Sequence, residues 1–437
     1  MSHIGIVCPA VPGHLNPLAS LGRKLQGRGH RVTIFHLPDA EAAIRQTGLG
    51  FWMVGSDEFP AGSTKRFYEK LGSLQGLAAF RLTLGNFVRK TKVWLMEIPD
   101  AIRASGVDFL LVDELEGGGT AVAEHMQMPF VTVSSALVLL NEPDVPPVFT
   151  PWSYTADYPA RVRNQAGYWL QRRLMTSCHK VLTDQRLLWG LPPSRTVNDW
   201  SSPWAHVSQQ PAFFDFPRRD LPRQFHYTGP FYSQQERKPV PFPYEKLTGQ
   251  RMIYASMGTL QNRVGQVFRE IATACTTVDA QLVISLGGGS HPEELGKLPG
   301  DPIVVAYAPQ LDLLARASLT ITHAGLNTTL ESLSNGVPLV SIPVANDQPG
   351  VAARTRWLGA GETLPFRNLE AGRLRSLVQT VLEGKTYRAA AAKVAERINS
   401  FDGLGRAVEI VEQVIATKRP VLYEANRKLA RAHRNGL

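Results

Sequence analysis

Short apolar runs alternating with longer amphipathic stretches constrain this chain more than any other feature, because the alternation runs through it twice. Near the start, Ile4, Ile6 and Val7 read as a strand, "PAVPGHLNP" as a loop, and Leu18, Leu21 and Leu25 as the apolar stripe of a helix. Asn16 is the expected N-cap, with Pro17 at the first helical position, and Gly29 ends the helix before the strand run "RVTIF". Strand, helix and strand make a βαβ unit, whose crossover makes the two strands parallel neighbours in a sheet.

The same alternation recurs in "DFLLVDE", a helix over 119–127 and the strand "FVTVSS". From Phe59 to Ile98, and from Trp152 to Gly190, the pattern turns helical and amphipathic, which predicts walls for an apolar cavity. Proline and charge crowd between Pro217 and Pro243, the mark of a connection between domains. A fresh series follows: strand "MIYASMG", a helix over 262–276, strands "QLVISLG" and "PIVVA", helix "LDLLARA", strand "LTITH", a helix over 326–334 and strand "PLVSIP". Helices are expected from about 368 to 432. The expected fold is α/β: two facing doubly wound Rossmann-like domains over 1–216 and 246–405, a linker over 217–245, and C-terminal helices over 406–437 crossing back to the first domain. Strand C-termini from both domains then border one cleft, the usual place for a ligand in such sheets.

Bulk composition excludes several classes. With 43% hydrophobic and 19% charged residues, the chain is globular rather than disordered. No apolar run reaches the roughly 18 residues that span a bilayer, and the N-terminus lacks the basic and apolar regions of a signal peptide, so a cytoplasmic location is expected. Cys8, Cys178 and Cys275 lack the spacing of a zinc or disulfide framework. A net charge of +10 favours anionic partners. Its local concentration, Arg427, Lys428, Arg431 and Arg434, suits either a solvated last helix or peripheral contact with an anionic membrane surface. No nucleic-acid-binding module accompanies the charge.

The most informative stretch is "HAGLNTTLESL" at 323–333. It reads as a strand end, a glycine turn and a helix whose free N–H groups and dipole favour an anion. Gly325 lets the backbone approach a guest, His323, Asn327 and Thr328 add donors, and Glu331 is suited to the vicinal hydroxyls of a ribose. The alternative for Asn327, Thr328 and His323 is ordinary capping. Asp347 and Gln348 follow the next strand and suit sugar hydroxyls, or an Asx-type turn before Pro349. Upstream, Tyr307 can stack on a base and Gln310 offers both a donor and an acceptor.

In the first half, His14 lies in the loop after the first strand and has the ordinary pKa, near 6.5, of a base able to deprotonate an alcohol. Such a base needs a carboxylate to orient it and balance its charge. Asp113 closes a strand and can supply one, with Glu114 and Glu116 as competitors.

The run "YAPQ…HAGLNTTLESLSNGVPLVSIPVANDQ" resembles the nucleotide-sugar signature of the UDP-glycosyltransferases, with Tyr307 standing where that signature has tryptophan. "GHLNP" with Asp113 resembles that family's catalytic pair. The resemblance implies a GT-B fold, Tyr307 stacking on uracil and the Ala308 backbone reading the base edge. It further implies Gln310 and Glu331 on ribose, and His323, Gly325, Asn327 and Thr328 on the diphosphate. Asp347 and Gln348 would hold the hexose, and Thr259 matches a phosphate-side position. It also implies an inverting displacement in which His14 deprotonates the acceptor and UDP leaves, with no cofactor and no metal, and the sequence has no Asp-x-Asp pair.

Within that superfamily, "VDELEGGGTAVAEHMQMPFVTVSSAL", "NEPDVPPVFTPWSY", "SQQPAFFDFPRR" and "NDQPGVAAR" resemble bacterial zeaxanthin glucosyltransferases. These imply UDP-glucose as donor and a hydrophobic hydroxylated acceptor. Macrolide or phenol transfer, an epimerase of UDP-N-acetylglucosamine type, and a non-catalytic binding protein are the alternatives.

Overall fold

The computed structural model describes residues 1–72, 74, 76–232, 240–258, 265–288 and 291–423. Thr259 and the basic cluster at 427–434 lie outside the described residues. In the first half the chain runs β1 (His3–Val7), α1 (Pro12–Gly27), β2 (Arg31–His36), α2 (Glu41–Gln46), β3 (Gly50–Met53), α3 (Ser63–Gly72), α4 (Gly76–Ser105), β4 (Phe109–Asp113), α5 (Gly117–His125), β5 (Phe130–Ser134), α6 (Tyr158–Leu174), α7 (Thr176–Leu188), β6 (Ala205–Ser208) and β7 (Phe225–Tyr227). The second half runs β8 (Met252–Ser256), α8 (Gly265–Cys275), β9 (Gln281–Ser285), β10 (Ile303–Val305), α9 (Gln310–Leu314), β11 (Ala317–Thr322), α10 (Leu326–Ser334), β12 (Leu339–Ser341), α11 (Gln348–Trp357), β13 (Gly361–Thr363), α12 (Ala371–Glu383), α13 (Lys385–Asn399) and α14 (Gly403–Thr417).

The strands form two sheets, one of seven strands in the order β3-β2-β1-β4-β5-β6-β7 and one of six in the order β10-β9-β8-β11-β12-β13. Every pairing is parallel. Buried on both faces, these strands carry near-continuous apolar side chains, as a parallel sheet covered by helices requires. Strand order reverses between β1 and β4 in one sheet and between β8 and β11 in the other, opening a crevice beyond the strand ends at each reversal. The two doubly wound Rossmann-like units expected from the alternation are therefore present.

Ile4 and Ile6 of β1 and Leu18 and Leu21 of α1 share a core with Leu404, Val408 and Val411 of α14, so the last described helix packs on the first sheet. The second sheet has its own core around Ile253, Ile284, Ile321 and Phe268. Between the two, Leu137 and Phe214 of the first unit pack with Leu326 and Leu330 of α10. Backbones also touch there: the Gly350 N–H donates to the Val148 carbonyl at 3.0 Å. A Cβ at position 350 would lie 2.3 Å from that oxygen, so only glycine permits the approach.

Two local expectations change. The stretch 217–245, expected as a linker, contains β7, which pairs with β6 in the first sheet. Helix α1 begins at Pro12, with Val11 as its cap, rather than at Pro17 with Asn16. Both prolines satisfy the first-turn rule locally, and His14 consequently sits in the first helical turn instead of in a loop. The α6 segment, expected to wall a cavity, lines one through Val162, Tyr168 and Trp169, while Tyr158 turns outward at 78% exposure. Periodicity identifies an apolar stripe but not the side on which the chain lays it. Among the described residues no helix is long and apolar enough to cross a membrane.

Candidate active site

His14 and Asp113 meet at the first strand-order reversal, because α1 follows β1 and Asp113 ends its neighbour β4. His14 Nδ1 lies 2.9 Å from Asp113 Oδ2. A carboxylate there accepts, so the ring carries its proton on Nδ1 and keeps the Nε2 lone pair for a substrate. Asp113 Oδ1 accepts the Leu115 N–H at 3.0 Å, which fixes the carboxylate in turn. Burial opposes the imidazolium, but the Asp113 charge and hydrogen bond, with smaller help from Asp347 and Glu116, outweigh it and raise the His14 pKa above its ordinary 6.5.

The competing carboxylates are engaged elsewhere. Glu114 accepts the Leu139 N–H at 2.7 Å, and burial lifts its pKa to about 8, so it is largely protonated near neutrality. Glu116, at the start of α5, accepts from Lys90 Nζ at 2.9 Å and Trp94 Nε1 at 2.7 Å. Lys90, on α4, thus offsets a second negative charge near His14, a role with no local sequence signature.

The second reversal gathers the other group. The His323 ring, just past β11, is bracketed by two glycines: a Cβ at Gly258 would fall 2.5 Å from its Cε1, and one at Gly325 2.6 Å from its Nε2. Gly258 also has φ +71°, so an alanine would meet both backbone strain and the ring. Burial drops the His323 pKa to about 4, against a hydrogen bond with the Ser256 backbone, which leaves a neutral imidazole rather than a cation. Gly325 caps α10, whose first N–H groups face the same crevice.

One turn further, Glu331 is 1% exposed and its Oε2 accepts from Gln310 Nε2 at 2.6 Å, while Gln310 Oε1 accepts the Tyr254 hydroxyl at 3.1 Å. Thr328 Oγ1 lies 3.3 Å from the same Gln310 nitrogen. Tyr307, 49% exposed, presents its ring beside Gly288, whose added Cβ would lie 3.6 Å from it. Ala308 is buried and its carbonyl accepts the Gln310 N–H at 2.8 Å. Gln348 Oε1 accepts the Val344 and Ala345 N–H groups at 2.8 and 2.9 Å, orienting the carboxamide with Nε2 as its donor end.

Asp347 and Asn327 reach across to the first unit. Asp347 Oδ2 accepts the Leu137 N–H at 3.1 Å. Asn327 Nδ2 donates to the Gly13 carbonyl at 3.0 Å, and its Oδ1 accepts from Gln209 Nε2 at 2.7 Å. The amino end of α10 therefore lies against the turn that carries His14. Gln209 is 2% exposed and lies in "SQQPAFFDFPRR", a stretch whose resemblance did not give it a role.

Comparison with known proteins accords with this geometry. The pattern of the UDP-glucoronosyl and UDP-glucosyl transferase family matches residues 58–420. A zeaxanthin glucosyltransferase of Pantoea ananas is 33% identical over 425 residues, covering 97% of this chain and 98% of the relative. One from Pseudescherichia vulneris is 32% identical over 428 residues, covering 96% and 100%. Among solved structures, the calicheamicin glycosyltransferase CalG4 superposes with a TM-score of 0.74 at 21% identity, covering 96% of this chain and 100% of that one. The glycosyltransferase of kitacinnamycin gives 0.73 at 22%, covering 94% and 98%. These two solved structures speak to the fold, which is that of the GT-B glycosyltransferases. With the family pattern spanning most of its length, the chain belongs to the UDP-glucoronosyl and UDP-glucosyl transferase family and is a glycosyltransferase, working between a nucleotide-sugar donor and a small-molecule acceptor.

Proposed function

We propose that this protein transfers glucose from UDP-glucose, with inversion and without a metal, to a hydroxyl of a hydrophobic acceptor, a hydroxycarotenoid such as zeaxanthin before other classes. The observation that carries the proposal is the His14–Asp113 pair at one strand-order reversal, held against the amino end of the helix that opens at the other. His14 Nε2 takes the proton of the acceptor hydroxyl. The freed oxygen bonds to the anomeric carbon from one face while the bond to the β-phosphate oxygen breaks on the other. UDP departs with the electron pair, its charge met by the α10 N–H groups, Thr328 and the neutral His323. Tyr307 and Ala308 serve the base, Gln310 and Glu331 the ribose, and Asp347 and Gln348 the hexose. The two zeaxanthin glucosyltransferase relatives support the acceptor class.

Mass spectrometry of products from UDP-glucose with carotenoid, macrolide and phenol panels, paired with NMR of the anomeric configuration, tests this. The expected result is a β-glucoside of the carotenoid, unaffected by EDTA. UDP release without any acceptor, or a product that retains configuration, would sink it.

The pH profile follows from the raised His14 pKa. The base works unprotonated, so kcat/KM should fall as pH drops through a value above 6.5. Asp113→Asn removes the charge that outweighs burial, so that limb should move to lower pH. Turnover should also fall roughly 10²- to 10⁴-fold, because an amide no longer enforces the tautomer. An unmoved acid limb in Asp113→Asn would break the link between the two residues.

A further inference from the structure

Pro17 stands inside α1, where an internal proline costs a helix dearly. In a regular helix the N–H of residue 17 would donate to the carbonyl of residue 13. Proline has none, so the Gly13 carbonyl is left without that partner, and Asn327 Nδ2, from the other sheet's helix, donates to it at 3.0 Å. The other end of the same carboxamide is also held by the first unit: Gln209 Nε2 donates to Asn327 Oδ1 at 2.7 Å and also to the Ser135 carbonyl. Gln209 is buried, at the end of β6, and Ser135 directly follows β5, so the bridge is anchored to rigid strands.

We propose that Pro17, Asn327 and Gln209 form a positioning bridge that sets the His14 turn against the amino end of α10, with Pro17 acting by vacating the Gly13 carbonyl. Asn327 thereby works through His14's placement in addition to any contact with the diphosphate. The inference rests on His14 being the base, since it concerns that residue's alignment.

The experiment compares Pro17→Ala, Gln209→Leu, their double variant and His14→Ala in the full chain, measuring kcat, donor KM and UDP affinity by calorimetry. Alanine restores the N–H that competes with Asn327 and favours the helix, so Pro17→Ala remains folded. Each single variant should lower kcat about tenfold, as a misplaced base does, with UDP affinity within about twofold of the original. The double variant should be little worse than either alone, because both break one bridge. Gln209→Glu, whose carboxylate accepts but cannot donate, should lower kcat as Gln209→Leu does. Wild-type kcat in Pro17→Ala and Gln209→Leu, or losses that multiply fully, would overturn the bridge. Normal turnover in His14→Ala would instead overturn the base assignment beneath it.

Discussion

His14→Ala is expected to bind UDP as the unaltered protein does while losing at least about two orders of magnitude in transfer. Among the described residues, those assigned to the diphosphate and ribose follow β10 or β11, and none hydrogen-bonds the imidazole. His14 itself touches Asp113, on its own sheet. Removing the ring therefore takes away the proton acceptor while leaving the residues assigned to UDP in place. The His14 side chain is 14% exposed, whereas the Asp113 side chain behind it is fully enclosed. Calorimetry with UDP and single-turnover transfer separate the two effects. A variant that turns over normally takes His14 out of the chemistry.

Asp215→Ala should cost about 3–5 kcal/mol of stability, the usual penalty for stranding a buried charge. Asp215 Oδ1 accepts from Arg354 Nε at 2.8 Å and Nη2 at 2.7 Å, and its Oδ2 accepts from Arg218 Nε and the Tyr227 hydroxyl, both at 2.7 Å. Asp215, Arg218 and Arg354 are all nearly inaccessible, so the substitution leaves two guanidinium groups in a low-dielectric interior. Arg354 belongs to α11 and Asp215 to the segment after β6, so the pair also ties the two units together. Burial opposes the carboxylate, yet the two arginines outweigh it and hold its pKa well below the usual range. Stability from such a depressed group is present above the unfolded pKa, about 4, and fades only as pH falls toward the folded value. The loss in Asp215→Ala should hence be constant from pH 5 to 9. Denaturant melts across that range check it, and a deficit below 1 kcal/mol would contradict the arrangement.

Much of the architecture was legible because parallel α/β folds write their period locally. The apolar runs at Ile4–Val7 and Leu319–Ile321 and the glycine before Leu326 each encode an element with its neighbours. The helix expected over 326–334 is the helix observed. His14 and Asp113 could be named because Asp113 ends β4 and His14 opens the helix that follows β1, and their adjacency needed only β1 beside β4. What escaped lives in contacts far apart in sequence. Two prolines five residues apart obey the same first-turn rule, and only the partner of the Gly13 carbonyl gives the second a distinct use. Gly258 reads as a turn glycine until the His323 ring is seen against it. Gln209, Asp215 and Arg354 fall in "SQQPAFFDFPRR" and "NDQPGVAAR", stretches that carry the resemblance, but their roles were not readable there because their partners come from other segments. Amphipathic spacing marked α6 as a cavity wall, which Val162 and Trp169 are, but was silent about Tyr158, which meets solvent.

The central claim is that the diphosphate of a nucleotide sugar rests on the amino end of α10 with its anomeric carbon turned toward His14. A crystal structure of the chain with UDP and a non-hydrolysable glucose analogue tests this most directly. The account predicts phosphate oxygens within hydrogen-bond reach of the first N–H groups of α10 and the sugar's reacting carbon facing His14 Nε2. A nucleotide bound away from α10, or a sugar pointing out of the cleft, would contradict it.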